Sequence, residues 1–256
     1  MMSDAGSALA GFLLADSRLP SGAYSHSAGL EPAVLCGLGV DGVYPYLVSR
    51  LSTVVRMEAC AAVLAFRTAQ ALRHRFPAGS RGQDASTGPG TDASSAPGTA
   101  ADIPGFTELE AALDARTPSA AQRDASRRLG RGMLRLAATL KAGDPAVVLL
   151  QQTVPKPTRP VALGVTAAAL GMAEGPLARL CCYDDAQSVV GAALKLLPID
   201  PMTAAGWILA AESEMDAVAE AALAARGLED LPALSAPWME HWAEDHTTRT
   251  RRLFVA

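Results

Sequence analysis

The chain has 256 residues, of which 50% are hydrophobic but only 5% are aromatic. Alanine, leucine and valine must therefore supply most of the core, which favours closely packed helices over a sheet rich in aromatic and β-branched residues. The formal net charge of -4 argues against a general nucleic-acid-binding protein, for which a basic domain is expected. We predict an all-α, single-domain bundle of about 8 to 10 helices.

The N-terminal region is organised around a polar stretch, residues 15–32. Leu19-Pro20 favours an extended backbone and Gly22 permits a turn, so this stretch is not a regular helix. Ser27 stands where a helix N-cap would stand, before apolar residues at helical spacing. We predict a short helix over residues 8–15, a loop, and a second helix over residues 27–36.

A long helix is predicted over residues 43–74, where apolar residues recur mostly at spacings of three and four. Pro45 near its start indicates a kink or a late start. Glu58 falls near the apolar side of this helix. Because a buried carboxylate needs a partner, we expect an arginine from another helix beside Glu58.

Residues 77–104 differ in composition from the rest of the chain, because 16 of these 28 residues are Gly, Pro, Ser or Thr. Such a segment cannot bury enough apolar surface to offset its ordering entropy. We predict one helical domain over residues 1–256, interrupted by a disordered insertion at residues 77–104.

The helical pattern returns at residue 106, with predicted helices over residues 106–113 and 118–142, the second capped by Thr117. One face of the second helix is apolar, and another carries Arg123, Arg127, Arg131 and Arg135, with Arg128 beside them. Such arginines lie in solvent, pair with acids of the same fold, or bind an acidic partner or phosphate. Gly130 and Gly132 lower helix propensity, and we expect them to permit close approach of another helix.

Two nearly all-apolar segments, residues 161–172 and 176–197, are predicted to form the buried centre of the bundle. Asp184, Asp185 and Gln187 interrupt the second segment. These polar residues line a wet interior or a subunit contact, or they are satisfied by internal hydrogen bonds. Predicted helices over residues 203–225 and 237–252 complete the chain.

The sequence contains no phosphate-binding loop, nucleophile elbow or dinucleotide-binding motif. Its four cysteines, Cys36, Cys60, Cys181 and Cys182, show neither zinc-site nor disulfide spacing, so we expect them to be small buried residues. The four histidines are too scattered for a clear metal site. With no cationic leader and no apolar run long enough to cross a bilayer, a cytosolic protein is expected.

The residues Leu19, Pro20, Gly22, Ser27, Gly29, Leu30 and Glu31 follow the pattern Leu-Pro-x-Gly-x-x-x-x-Ser-x-Gly-Leu-Glu. This pattern resembles the N-terminal signature of the UreF family of urease accessory proteins. Residues 114–119 with 125–131, residues 161–171 and residues 191–198 resemble three further blocks of that family. Thr158 and Arg159 differ from it, since family members usually have a histidine before the Pro-Val of the 161–171 block.

The resemblance implies an all-helical homodimer without enzymatic activity and without a cofactor of its own. It further implies a chaperone that joins the UreD (also called UreH) scaffold and the nickel-carrying GTPase UreG while nickel is loaded into apo-urease. The resemblance also implies an internal water-filled passage for the metal. No nucleic acid and no membrane are implied as partners.

The resemblance also implies a set of partner-binding residues. The loop near the GTPase-facing surface would contain Pro20, Gly22, Tyr24, Ser25, His26, Gly29 and Glu31. A dimer- or partner-facing middle would contain Arg127, Arg128 and Gly130, and a late block would contain Lys195. The C-terminal tail that orders against UreD would contain Arg249, Arg252, Leu253 and Phe254.

Two other functions remain open from the residues. A stand-alone nickel-binding metallochaperone would use His26, His241 and His246. A small helical hydrolase would be centred on Ser25 and His26, although adjacent residues seldom meet as nucleophile and base.

Overall fold

The computed structural model of the chain describes residues 4–16, 26–76, 104–234, 236–249 and 253–254, and within these ranges no strand occurs. The helices are, in chain order, α1 (Asp4–Leu14), α2 (Leu30–Leu35), α3 (Val43–Arg50), α4 (Arg56–Arg75), α5 (Phe106–Arg116), α6 (Ala120–Leu140), α7 (Pro145–Thr153), α8 (Arg159–Ala169), α9 (Glu174–Leu196), α10 (Pro201–Ala210), α11 (Glu212–Ala224) and α12 (Pro237–Thr248). The all-α prediction is confirmed.

The predicted long helix is present, because a π-helical segment, Leu51–Val55, joins α3 and α4 into one continuous helix over residues 43–75. Pro45 lies in the first turn of α3, where a missing N–H removes no helical hydrogen bond. The irregularity of this helix is therefore the π segment rather than a proline kink.

The centre of the bundle is the packing of α8 against α4. Residues 160–169 of α8 are all buried, which confirms the predicted buried helix as far as Ala169, whereas Leu170 and Gly171 are half-buried. Gly164 permits the close approach, because a Cβ at this position would lie 2.2 Å from the carbonyl oxygen of Ala62 in α4. The other predicted central segment, α9, buries one face and exposes Tyr183 and Lys195 on the other.

The predicted helices differ from the structure in two places, where one helix is divided and another was not predicted. Residues 203–225 form two helices, α10 and α11, which are separated at Ala211. The helix α7 was not predicted, although its start carries two common signals: the Asp144 side chain accepts a hydrogen bond from the Ala146 N–H at 3.0 Å, and Pro145 occupies the first turn.

Two helix caps and one cysteine also differ from the predictions. Ser119, not Thr117, caps α6 by accepting a hydrogen bond from the Gln122 N–H at 3.2 Å. Gly29, not Ser27, immediately precedes α2, with a left-handed φ of 78°. Cys60, Cys181 and Cys182 are buried as predicted, whereas Cys36 is exposed.

The predicted insertion lies outside the described residues, except for Pro104, whose carbonyl oxygen accepts a hydrogen bond from the Thr68 hydroxyl at 2.9 Å. Among the helices of the described ranges, none combines the length and the apolar character required to cross a bilayer.

Candidate functional site

A cavity of about 170 Å³ lies between the helix 43–75 and α2, α6, α9 and α12. Charged side chains from distant parts of the chain line it: Arg50, Glu58, Arg159, Asp184 and Asp185. Two histidines, His26 and His246, line it as well. Because charged groups are rarely buried unless they are paired, we take this polar interior as the candidate site.

Arg50 and Asp185 form a bidentate ion pair across the cavity wall. The Arg50 Nε donates to Asp185 Oδ2 at 2.9 Å and its Nη2 donates to Oδ1 at 2.5 Å. The two side chains are only 10% and 7% exposed. The pair therefore fixes α3 against α9 with the planar geometry that arginine and a carboxylate favour.

The π segment brings Arg50 and Glu58 to the same side of their helix. In a regular α-helix, positions eight residues apart point about 80° away from each other, because each residue turns by about 100°. The additional residue of a π turn takes up about one such step, so the two positions come within about 20° of each other. Both side chains consequently line the cavity.

Arg159 joins the remaining two carboxylates. Its Nη1 donates to Glu58 Oε2 at 2.9 Å, and its Nη2 donates to Asp184 Oδ2. The Arg159 side chain is buried, so both acids contribute to keeping its charge inside the fold. The structure thus confirms the expectation that an arginine from another helix is the partner of Glu58.

These five charged groups comprise three carboxylates and two guanidinium groups. Five further charged residues of the lining bring its formal charge to zero: Asp114, Arg116, Arg123, Arg128 and Glu240. Burial raises the pKa of Glu58 above its ordinary value, an effect that Arg159 opposes and Asp185 increases. Burial disfavours the charged form of Arg50, but Asp185 more than offsets this, and the pKa of Arg50 is raised. The cavity therefore holds fixed positive charges and one carboxyl group that binds a proton more readily than usual.

The start of α8 is fixed by contacts with α5 and α6. The buried Glu110 carboxylate accepts hydrogen bonds from the Thr158 N–H at 2.8 Å and from the Thr158 hydroxyl at 3.1 Å. The Arg159 N–H donates to the Ser126 hydroxyl oxygen at 3.0 Å. Gly130 packs on the same segment, since a Cβ there would lie 2.1 Å from the Pro157 carbonyl oxygen. The predicted close approach at Gly130 is thus made by the loop before α8, not by a helix.

The turn before α2 is fixed by Tyr46. The Tyr46 hydroxyl donates to the Ala28 carbonyl oxygen at 2.8 Å, and burial raises the pKa of Tyr46 to about 12. A Cβ at Gly29 would lie 2.8 Å from this hydroxyl oxygen, and Gly29 also has the left-handed φ that favours glycine. Gly29 therefore permits both the turn before α2 and the hydrogen bond from Tyr46 to Ala28.

The C-terminal residues are attached to α2 and α9 by what we call the C-terminal clasp, formed by Glu31, Lys195, His246, Leu253 and Phe254. The Glu31 carboxylate is buried and accepts hydrogen bonds from the backbone N–H groups of Leu253 at 2.6 Å and Phe254 at 2.9 Å. The His246 Nε2 lies 3.4 Å from Glu31 Oε2. The Lys195 ammonium lies 5.1 Å from the centre of the Phe254 ring, within cation–π range.

The structure therefore brings together several, but not all, of the residues predicted to bind partners. His26 and Gly29 line the cavity, while Glu31, Lys195, Leu253 and Phe254 meet in the clasp. Arg127 pairs with Asp114 at 2.5 Å, and Arg249 pairs with Asp245 at 2.6 Å. Arg128 is exposed at the edge of the cavity. The remaining predicted residues, Pro20, Gly22, Tyr24, Ser25 and Arg252, lie outside the described residues.

Arg50 was not predicted as a site residue, and Arg159 was not predicted to lie in the interior. A signal for Arg50 was available, since it lies between Leu47 and Leu51 on the buried side of its helix. Of the flagged polar residues, Asp184 and Asp185 line the cavity and are paired with arginines, which confirms the alternative of internal hydrogen bonds for these two. Gln187 instead donates to the Tyr183 hydroxyl at 2.6 Å on the exposed side of α9.

Within the described part of the chain, no three His, Cys, Asp or Glu side chains gather in a way that could hold a metal ion. The carboxylates of Glu58, Asp184 and Asp185 are each paired with an arginine. The pKa of the buried thiol of Cys60 is raised to about 11 by burial, and that of Cys182 to about 12, which disfavours the thiolate form that binds metals.

Comparison with known proteins identifies the family. The UreF family model matches residues 40–212. A urease accessory protein UreF of Mycobacterium sp. (strain JLS) is 32% identical over 247 residues, which cover 95% of this chain and 96% of that protein. The corresponding proteins of Mycolicibacterium vanbaalenii and Mycobacterium tuberculosis (strain ATCC 25177 / H37Ra) are 34% identical over 246 residues and 29% identical over 245 residues, with the same coverage. The chain belongs to the UreF family of urease accessory proteins.

Proposed function

We propose that this chain is a non-enzymatic chaperone of urease maturation, which joins a UreD/UreH-like scaffold and a UreG-like GTPase while nickel is loaded into apo-urease. The observation that carries this proposal is the similarity to urease accessory proteins along 95% of the chain. We place the protein in the cytoplasm, where its partners would assemble urease.

The C-terminal clasp supports a role in assembly. Besides burial of the Phe254 side chain, the clasp holds Leu253 and Phe254 through one carboxylate and one cation–π contact, which a partner that engages this end of the chain would have to replace. The Leu253 side chain is 64% exposed, which offers apolar surface beside the clasp. A scaffold protein would bind here.

The helix α10 supports self-association into a homodimer. It packs on α9, yet Met202 is 78% exposed and Leu209 is 74% exposed, and the helix contains no charged residue. Exposed apolar side chains of this kind on one helix commonly mark a protein contact. Replacing both by glutamate should convert a dimer into a monomer in analytical ultracentrifugation, whereas a wild-type monomer would contradict this part of the proposal.

The cavity supports passage of nickel as cargo rather than its storage. Its buried carboxylates offer oxygen ligands to a divalent cation, while Arg50 and Arg159 occupy these carboxylates and prevent them from forming a tight site. Cargo could then exchange ligands within a shielded interior.

A second function, the stand-alone nickel metallochaperone, is favoured by one observation: His26 and His246 line the same cavity. Isothermal titration of the isolated protein with nickel distinguishes the two functions. Tight stoichiometric binding that is lost in the double variant H26A/H246A would favour the metallochaperone.

The direct test of the proposed function is to co-express the tagged chain with the urease subunits and their other accessory proteins. Recovery of the scaffold and the GTPase, together with a loss of urease activity when the chain is omitted, is the expected result. Recovery of neither protein in cells that still mature urease would overturn the proposal.

A further inference from the structure

Basic residues are concentrated in one part of this acidic protein. Residues 125–173 contain seven arginines and lysines but a single acid, Asp144, whereas the whole chain has a net charge of -4. Asp144 is itself engaged, since it pairs with Arg73 at 3.0 Å and caps α7. Arg159 is buried, but α6 alone carries five arginines against the single acid Asp124 and α7 carries no charge, so the surface formed by α6 and α7 is positive.

Three of these basic side chains line a groove between α6 and the end of α7. The groove has a volume of about 470 Å³, and its walls are formed by Arg128, Arg131, Leu134, Arg135, Gln151 and Pro155. All three arginines are exposed, while Leu134 is nearly buried and forms an apolar floor. We call this feature the arginine groove.

The arginines of the groove differ from the other arginines of α6. Arg123 donates to the backbone carbonyl oxygens of Thr117 and Pro118, and Arg127 pairs with Asp114. No ion pair or hydrogen bond of the guanidinium groups of Arg128, Arg131 or Arg135 is found within the described residues. Like charges three or four residues apart on a helix are destabilising, so the fold gains nothing from this arrangement by itself.

We propose that the arginine groove binds an acidic segment of a partner protein. Arginine presents a planar fork that pairs with carboxylates, and the groove contains no carboxylate of its own. Arg131 and Arg135 are separated by about 6 Å along the helix axis, and Arg128 and Arg135 by about 10.5 Å. An extended segment with two or three acids within about four residues spans the same distance.

The other residues of the groove fit such a segment. The Gln151 amide can bond to the backbone of an extended chain, and Leu134 and Pro155 can contact an apolar residue between the acids. Arg128 lines both the groove and the cavity, so a segment bound in the groove would reach the cavity edge. The inference rests on the proposed function for the partner's identity, a urease maturation protein, but not for the chemistry of the groove.

The first experiment tests the groove without any partner. A fluorescein-labelled hexaglutamate peptide and a hexaglutamine peptide are titrated with the full chain by fluorescence anisotropy, at low and at high salt. The variant R131E/R135E is compared with R56E/R226E, which makes the same charge change at two exposed arginines outside the groove that also lack a side-chain partner in the described structure. Circular dichroism confirms that both variants are folded.

We expect hexaglutamate alone to bind, with an affinity that falls as salt rises, and R131E/R135E to weaken binding about tenfold or more while R56E/R226E changes it much less. Equal weakening by both variants would overturn the proposal, because it would reveal only a general effect of net charge. Tighter binding of duplex DNA than of hexaglutamate, with the same loss in R131E/R135E, would also overturn it in favour of a phosphate-binding surface.

The second experiment uses the co-expression described above. Loss of one maturation protein from the complex of R131E/R135E, but not of R56E/R226E, would identify the partner and support the inference. If wild-type protein captures its partners and R131E/R135E captures all of them equally well, the groove is not their binding site. Failure of wild-type protein to capture any partner would refute the proposed function, while the peptide titration would still decide the chemistry of the groove.

Discussion

The buried ion pair between Arg50 and Asp185 makes a stability prediction that can be worked out from its geometry. In the variant Asp185→Asn, the side chain keeps its shape and one oxygen acceptor but loses its charge. The Arg50 guanidinium, in a side chain only 10% exposed, would then remain in the interior without a charged partner in contact. Removal of one partner from a buried pair generally costs about 3–5 kcal/mol.

Two features lower this figure for Asp185→Asn. The remaining amide oxygen can still accept one of the two hydrogen bonds, worth about 1 kcal/mol. The cavity beside the pair also admits water. We therefore expect a loss of about 2–4 kcal/mol in the free energy of unfolding, and for a chain of this size a loss of about 3 kcal/mol lowers Tm by about 6–12 °C.

The adjacent residue provides a matched control. In Asp184→Asn, Arg159 keeps its other partner, Glu58, so the loss should be only about 1 kcal/mol. Thermal unfolding followed by circular dichroism at neutral pH, with urea unfolding as a second measurement, compares the two variants. A Tm for Asp185→Asn equal to that of the wild type, or to that of Asp184→Asn, would refute the reasoning.

Three further predictions concern other contacts. Glu31→Gln should loosen the C-terminal clasp by about 1–2 kcal/mol, because an amide oxygen accepts hydrogen bonds less strongly than a carboxylate does. We expect hydrogen exchange at the Leu253 and Phe254 amides to become roughly tenfold faster, and unchanged exchange would contradict this prediction. Gly130→Ala should destabilise the fold by about 1–3 kcal/mol through overlap with backbone, whereas Gly191→Ala, with open space around its Cβ, should be neutral or slightly stabilising. Because the pKa of Glu58 is raised, the stability that its protonated form contributes is present below about pH 4.5 and is lost as pH rises through the raised pKa. The Tm of Glu58→Gln should therefore rise relative to wild type with increasing pH, and a constant difference would argue against that pKa.

The features of the fold that depend on local sequence were predictable. The spacing of apolar residues predicted the long helix 43–75 and the burial of α8, because a helix must turn its apolar side toward other helices. The break at Ala211 was not predictable in this way, since no glycine or proline marks it. There α11 packs on α4 and α9, whereas α10 packs mainly on α9, so tertiary contacts rather than propensity divide the two helices.

The candidate site was less predictable than the fold. Glu58 and the adjacent acids of α9 stood out as polar residues in apolar helices, and an arginine partner for Glu58 was expected. The sequence did not predict the particular partners, because Arg159 is 101 residues from Glu58 and Arg50 is 135 residues from Asp185. The clasp joins Glu31 to residues more than two hundred positions away. Such pairings are decided by packing.

The π segment constrains the number of residues between Arg50 and Glu58 more than the identity of those residues. Losing one residue of Leu51–Val55 can be absorbed by a return to a regular α-helix, in which Arg50 and Glu58 are seven positions apart and still within about 20° of each other. Inserting one residue would instead rotate Arg50 by about 100° relative to Glu58, out of the cavity. Substitution of the exposed Ser52 in the same segment changes neither rotation nor packing. For urease maturation, an insertion of one codon here should therefore be far more damaging than a missense change at the same codon.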